Sequence, residues 1–253
     1  MIAEILGQMP TIGLDDMKAV RLMNRVDQKY MVPDSLLEQL LGMVVDKYFV
    51  QQIEGELIAP YHTLYFDTNA LAMYTMHHNQ KLNRQKLRVR CYRSTNTTFF
   101  EIKNKDNNGK TSKIRIPIDP SMFEFCYKIP EIIEFVEHNT PYTFGELIPC
   151  IENRFKRITL VDKSMSERVT IDSSIAFYNR ATGFESDISR VLVIEVKHEI
   201  GAPMSAVEQA LHQLHVIPRR MSKYCIGTAL TNPSAKYNRF KPKLLYIDKI
   251  TNL

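Results

Sequence analysis

Six short stretches of this chain alternate charged and apolar residues: Arg25-Val26-Asp27-Gln28-Lys29, Lys86-Leu87-Arg88-Val89-Arg90, Glu101-Ile102-Lys103-Asn104-Lys105, Lys113-Ile114-Arg115-Ile116, Arg168-Val169-Thr170-Ile171-Asp172 and Ile194-Glu195-Val196-Lys197. Neighbouring side chains on a β-strand point to opposite faces, so each stretch reads as a strand with one apolar and one ionic face. The ionic faces hold too many like charges to be only a solubilising surface. Crowded cations repel and lose hydration unless an anion of several charges sits among them, and a phosphate chain meets that need. Arginine offers phosphate a planar fork of donors and lysine a compact charge, so a mixture can both orient and neutralise a triphosphate. Glu101, Glu195, Asp27 and Asp172 lie on the same faces. Their hard oxygens suit Mg²⁺ or Mn²⁺ bridging carboxylate and phosphate. An ion pair with a neighbouring base accounts equally well for any one of them. Glu195 is the strongest metal candidate, with Glu101 second, because Glu195 interrupts the apolar run Val191 to Val196 and a buried acid there needs a strong partner.

These residues need strands to position them. Arg84 to Tyr92, Thr97 to Lys105 and Thr111 to Ile118 read as three consecutive antiparallel strands, the last two joined by Asp106-Asn107-Asn108-Gly109, a hairpin signal because Asn and Gly tolerate positive φ. Two architectures hold such strands: an open cationic sheet facing a nucleic acid, or a closed antiparallel β-barrel with a charged interior and an apolar exterior covered by helices. An RNA-binding sheet would interleave aromatic rings with the charges as stacking platforms; here the intervening residues are mainly Val and Ile of the opposite face, which disfavours nucleic acid as a partner. Helices to cover a barrel are predicted at Pro33 to Met43, with helix-start residues Pro33, Asp34 and Ser35, and at Gly13 to Met23, Ala70 to His77, Asp119 to His138 and Met204 to Leu214. Met17, Leu22 and Met23 read as a core face. The expectation is an α+β fold: a closed antiparallel barrel of about eight strands flanked by helices.

The 253 residues, 44% hydrophobic with only 9 Gly and 12 Pro, are read as one globular domain, 1–253, with no linker or repeat and a peripheral tail, 233–253. The lysines and Arg239 between Lys236 and Lys249 predict a solvated terminal segment. A net charge of +5 allows an anionic partner without specifying one. Cys91, Cys126, Cys150 and Cys225 are too scattered for a disulfide framework or zinc site and read as reduced, mostly buried thiols. No signal peptide is expected from Met1 to Pro10, and no stretch reaches the roughly 20 apolar residues of a membrane span, so a cytoplasmic protein without membrane insertion is expected. No G-x-x-x-x-G-K loop occurs, so side chains would have to hold a nucleotide. His212 and His215 lack a third ligand nearby and read as surface or packing residues.

Eight segments in order, Arg25-Val-Asp-Gln-Lys29-Tyr30, Tyr65-Phe-Asp-Thr68, Lys86-Leu-Arg88-Val-Arg90, Phe100-Glu101-Ile-Lys103, Phe155-Lys-Arg157, Arg168-Val-Thr-Ile-Asp172, Ile194-Glu195-Val-Lys197 and Ser222-Lys223-Tyr224, resemble the VTC domain. That is the catalytic domain of the vacuolar transporter chaperone polyphosphate polymerase, a branch of the triphosphate tunnel metalloenzymes that also include CYTH phosphatases. The resemblance implies a tunnel that binds ATP or another nucleoside triphosphate, and inorganic polyphosphate or pyrophosphate, and transfers the γ-phosphoryl group. It implies Lys29, Arg88, Arg90, Lys103, Arg157, Arg168 and Lys223 as catalytic phosphate ligands and Glu195 as metal ligand. Arg25, Lys113, Arg115, Lys197 and Arg220 are further phosphate candidates. His77 stands where the yeast-type pattern has an arginine, and a neutral imidazole would hold phosphate less firmly. Arg154, three residues from Arg157, falls on the opposite face of its strand. Tyr30, Tyr65 and Tyr224 read as packing a strand against a helix. The acidic start of the CYTH branch is replaced here by Arg25-x-Asp27-x-Lys29, which favours the VTC branch; no SPX domain or membrane span accompanies it, so export would require a membrane partner. The expected activity is polyphosphate polymerase, the alternatives being a tripolyphosphatase or nucleoside triphosphatase of the same fold and a non-catalytic polyphosphate-binding module.

Overall fold

The computed structural model describes residues 1–19 and 25–252. One large antiparallel sheet organises them. Its main path runs β2 (Arg25–Pro33), β11 (Val191–Glu199), β9 (Glu167–Asn179), β8 (Leu147–Asp162), β4 (Ala59–Thr68), β5 (Arg84–Tyr92), β6 (Thr97–Lys105) and β7 (Thr111–Ile118). Three short strands lie off the path: β1 (Thr11–Ile12) runs parallel to β3 (Tyr48–Gln51), β3 pairs with β8, and β10 (Glu185–Ile188) pairs with β9. All six alternating stretches fall within strands, and β5, β6 and β7 have the bounds expected for the central hairpins. At the β6–β7 turn Gly109 has φ of +79° and its N–H donates to the Asp106 carbonyl at 3.0 Å.

The sheet is inside out. The apolar faces of β5 and β6, with Leu87, Val89, Phe100 and Ile102, pack beneath α4 (Pro130–Asn139) through Ile132 and Val136. Those of β2, β9 and β11 pack beneath α1 (Ile2–Gln8), α2 (Leu37–Val44) and α5 (Ala206–Gln213). The charged faces are left to line an interior. The expected closed barrel is corrected in one respect: among the described residues β2 and β7 are not paired, so the path of eight strands ends in two open edges. At the β7 edge Pro117 brings no N–H to a further ladder.

Helix bounds shift where caps decide them. α2 is preceded by a 3-10 turn, Asp34–Leu36, with Pro33 ending β2. α4 begins only at Pro130, because the residue before a proline disfavours the α region; 3-10 turns precede it. α3 spans Ala72–His78, and α5 starts at a capping box of Ser205 and Glu208. The helix expected from Gly13 is a 3-10 turn, Asp16–Ala19, and Leu22 and Met23 lie outside the described residues. The tail is not a solvated segment: α7 (Lys241–Thr251) buries Ile247 and Ile250, Phe240 beside it is also buried, and the Tyr246 hydroxyl donates to the Met31 carbonyl at 3.2 Å. No helix among the described residues is long and apolar enough to cross a membrane.

A further helix, α6 (Lys223–Thr231), lies against β8 and β9. Gly227 makes this possible, since a Cβ there would stand 2.6 Å from the Phe177 ring and 3.0 Å from Ile151. Gly227→Ala is expected to cost about 1–3 kcal/mol through overpacking, read as a lowered midpoint in denaturant unfolding; an unchanged midpoint would mean that the helix has room to shift.

Candidate functional site

The charged faces enclose a cavity of about 930 Å³. Among the described residues its lining includes sixteen Lys and Arg side chains but only three carboxylates, Asp27, Asp172 and Glu195. Strand register stacks the charges in rows. Lys86, Lys103 and Lys113 stand directly opposite one another across β5, β6 and β7; one step along, Arg88, Glu101 and Arg115 do the same. Like charges on adjacent strands are unfavourable, so the lysine row is explained by what it binds rather than by what it stabilises.

Three carboxylates hold the cations in place. Glu101, fully buried, accepts from Arg88 through Oε2 at 2.6 Å and from Lys113 through Oε1 at 2.8 Å. Asp172 accepts both arms of Arg157, Nε at 2.6 Å and Nη2 at 2.8 Å, and also the ammonium of Lys223. Glu195 takes Lys29 at 2.8 Å and Lys197 at 3.0 Å. Burial alone would raise these carboxyls. Arg88, Arg90 and Lys113 instead bring Glu101 down to about 2, while Arg157 and Lys223 lower Asp172 and the two lysines hold Glu195 well below the carboxylate range.

Arg90 is buried beside the stacked rings of Tyr61 and Phe155, centroids 5.7 and 5.8 Å away, and its Nε donates to Thr63 at 3.1 Å. Arg115 covers the Phe99 ring at 4.2 Å. Lys223 opens α6, whose N-terminus therefore faces the cavity. The Ser222 hydroxyl accepts from the Cys225 N–H and from Lys86 at 2.8 Å, tying the helix to β5. A strut behind the helix fixes its angle: buried Asp67 accepts the backbone N–H groups of Met73 and Tyr74 at 2.9 and 2.8 Å and the Tyr224 hydroxyl. Burial followed by Lys29 lowers Lys103 to about 8, although its side chain still meets the cavity's water. Burial would raise the Tyr65 phenol, but Arg88, Arg90 and Lys86 draw it down to about 8.

The sequence-predicted ligands Lys29, Arg88, Arg90, Lys103, Arg157, Arg168 and Lys223 all line this one cavity, as do Lys113, Arg115, Lys197 and Arg220. The Arg25 side chain lies outside the described residues. His77 reaches the lining, yet burial and then Lys86 and Arg84 lower it to about 2, so the imidazole is neutral. Arg154 points away, its side chain 71% exposed. Tyr224 packs α6, whereas Tyr65 lines the cavity beside Arg88. His212 and His215 are exposed. Sequence reasoning did not assign Lys86, Ser222 or Asp67; Lys86 was readable two residues before Arg88, and Asp67 and Ser222 stand within the quoted family segments, but their bonds to Tyr224 and Lys86 are made only in the fold.

Among the described residues no group of three or more His, Cys, Asp or Glu side chains is placed to hold a metal ion. Both oxygens of Glu101 are taken by bases, and it does not line the cavity. Glu195 is ionised and does line it, which suits a cation such as Mg²⁺ that uses one or two carboxylates and draws its other ligands from phosphates and water.

An antiparallel sheet wrapped around a cationic cavity, with its apolar side under helices, is the architecture of the triphosphate tunnel proteins. The sequence pattern of the VTC domain matches residues 24–232, and the chain belongs to that family. No protein of curated function matches it in sequence. Among solved structures, a putative adenylyl cyclase from Hippeastrum shares the fold with a TM-score of 0.52 at 16% identity, covering 84% of this chain and 98% of its own. A putative adenylate cyclase from Bacillus halodurans does so with a TM-score of 0.50 at 12% identity, covering 79% and 94%.

Three outcomes follow from the charges. Asp172→Asn strands Arg157 and Lys223 and is expected to destabilise by about 3–5 kcal/mol in denaturant unfolding. Because Glu101 and Asp172 are depressed in the folded state, their contribution is complete above the unfolded carboxylate value of about 4 and falls away as pH drops through that value toward 2, which acid titration of the unfolding midpoint would register. Conversely, Lys103 is partly neutral near pH 8, so binding of tripolyphosphate there is expected to take up protons, seen as a dependence of the calorimetric heat on the buffer's ionisation enthalpy.

Proposed function

We propose that the chain is a polyphosphate polymerase, transferring the γ-phosphoryl group of ATP to a growing phosphate chain inside the cationic cavity. The observation that carries this reading is the row of inward-facing bases on one strand, Lys86, Arg88 and Arg90, continued by Lys103 on the next strand and lining a single cavity with Lys223 and Arg157. An elongated polyanion satisfies such a lining along its length, whereas a single compact phosphate would leave most of it unpaired. The VTC family membership supports the polymerase over other reactions of the fold.

Phosphoryl transfer asks for position and charge stabilisation more than for a protein nucleophile. In this site Arg88, Arg90 and Arg157 orient and neutralise non-bridging oxygens, each held in place by an acid or a hydroxyl, and Lys223 adds charge at the helix start. The terminal oxygen of the acceptor chain attacks the γ-phosphorus in line; the bond to the β–γ bridging oxygen breaks and ADP leaves. We assign Mn²⁺ or Mg²⁺ to Glu195, where the ion would neutralise charge on the β- and γ-oxygens.

A second reading keeps the site and replaces the acceptor by water. It is favoured by the open margin between β2 and β7, which leaves a side for water to enter, and by the dominant triphosphatase activity described for the Hippeastrum protein. Incubation with ATP, Mn²⁺ and a short polyphosphate primer separates the two: we expect longer chains on a gel together with ADP, and orthophosphate without chain growth would assign the hydrolase. Glu195→Gln is expected to abolish metal-dependent turnover without weakening metal-free tripolyphosphate binding, since it removes a negative charge from the cavity; full turnover in this variant would refute the metal assignment.

A further inference from the structure

One end of the cavity carries a group of cations that the reaction above does not use. Arg84, the first residue of β5, and Lys105, the last of β6, stand directly opposite each other in register. Arg220, in the loop before α6, and Lys243, on α7, line the same cavity. Four separate chain segments thus deliver four bases to one mouth, and α7 is fixed there by the buried side chains of Ile247 and Ile250, with buried Phe240 beside it.

Nothing acidic among the lining residues answers them. The lining carboxylates lie elsewhere: Glu195 is joined to Lys29, Asp172 to Arg157, and Asp27 stands opposite Lys197 toward the other end of its strand. The nearest acid is Asp106, in the β6–β7 turn, whose carboxylate caps the Lys110 N–H at 2.8 Å. The other groups at this mouth are the neutral His77 and the buried thiol of Cys225. Burial and the charge of Arg220 both disfavour protonation of Arg84, Lys105 and Lys243, with Asp106 and Cys225 opposing, so the fold holds these cations together against their repulsion. On the same strand, Arg84 and Arg88 are four residues apart, about 13 Å. A ligand whose triphosphate sits among Arg88, Arg90 and Arg157 therefore meets the mouth only if it continues past them.

We infer that Arg84, Lys105, Arg220 and Lys243 form an outer anion site that holds phosphate groups of a linear chain beyond the central triphosphate, and so makes binding depend on chain length. This rests on the reading of the cavity as a phosphate-chain site, but not on the choice between polymerase and hydrolase. The site contributes affinity for long chains and none for tripolyphosphate, and by gripping the far end it keeps a chain in place between successive transfers.

The test uses the full chain without metal at fixed ionic strength, with calorimetric binding of orthophosphate, tripolyphosphate and a chain of several tens of phosphates. The variant R84Q/K105Q/K243Q is compared with a control of equal charge change on exposed lysines outside the cavity lining, K47Q/K128Q/K163Q. We expect the mouth variant to lose at least tenfold in affinity for the long chain while tripolyphosphate binding stays within about twofold. The control should lose far less, and orthophosphate binding should be weak throughout. Because the substitutions relieve repulsion, the unfolding midpoint should not fall. Equal losses for both chain lengths, an equal loss in the control, or no loss at all would each overturn the outer site. A failure of the primer assay to show chain growth, with length-dependent binding intact, would count against the polymerase alone.

Discussion

The repulsion among like charges gathered on the concave side of one sheet is the constraint from which the other features of this molecule follow. Rows such as Lys86, Lys103 and Lys113 place cations on adjacent strands at the closest spacing a sheet allows. Three acids offset part of this. Each lies between two bases, and all three join different elements: Glu101 links β5, β6 and β7, Asp172 links β8, β9 and α6, and Glu195 links β11 to β2. They therefore stiffen the interior as well as neutralise it. The cavity lining keeps an excess of positive charge that these acids do not offset, an imbalance that a polyanion would relieve.

That arrangement requires the apolar residues to face outward, which in turn requires the helices. Leu87, Val89, Phe100 and Ile102 would be an exposed apolar patch without α4, and the faces of β2, β9 and β11 would be another without α2 and α5. Toward one end the logic reverses. On β2 and β11 the inward positions after Lys29 and before Glu195 are Met31 and Val193, and these join Tyr224, Ile226 and Ile247 in an apolar cluster. So α6 and α7 enter the interior itself at that end. The cluster anchors the helix that presents Lys223 and confines the charged passage to the side of β5 and β6.

Alternation made the strands legible: a period of two survives in Lys86 to Arg90 or Arg168 to Asp172 whatever the tertiary setting, and it correctly assigned their faces. The order of segments made the family legible as well. Closure of the barrel was not, because whether β2 and β7, far apart in the chain, come together depends on the course of the whole sheet, which no local pattern states. The tail was misjudged for a different reason. Its lysines suggested solvation, while Phe240, Leu244, Ile247 and Ile250, spaced for one helix face, carried the opposite signal. Asp67 and Ser222 act through partners far away in sequence, on α6 and β5, so their roles exist only in the fold.

The same physics explains why a site with so many bases can still be selective. Arg90 is fixed by Thr63 and two rings, Arg88 and Arg157 by carboxylates, and Lys86 by Ser222, so the donors are oriented before a ligand arrives. Preorganised charge contributes more to a transition state than mobile charge, because little reorganisation is needed as the reaction proceeds. Lys103 and Arg115, by contrast, stay accessible to the cavity. The wall thus combines an inner set of bases held by fixed partners with a set more open to the cavity. On the proposed polymerase reading both sets would serve, since a chain would have to be held for transfer and yet slide by one phosphate before the next.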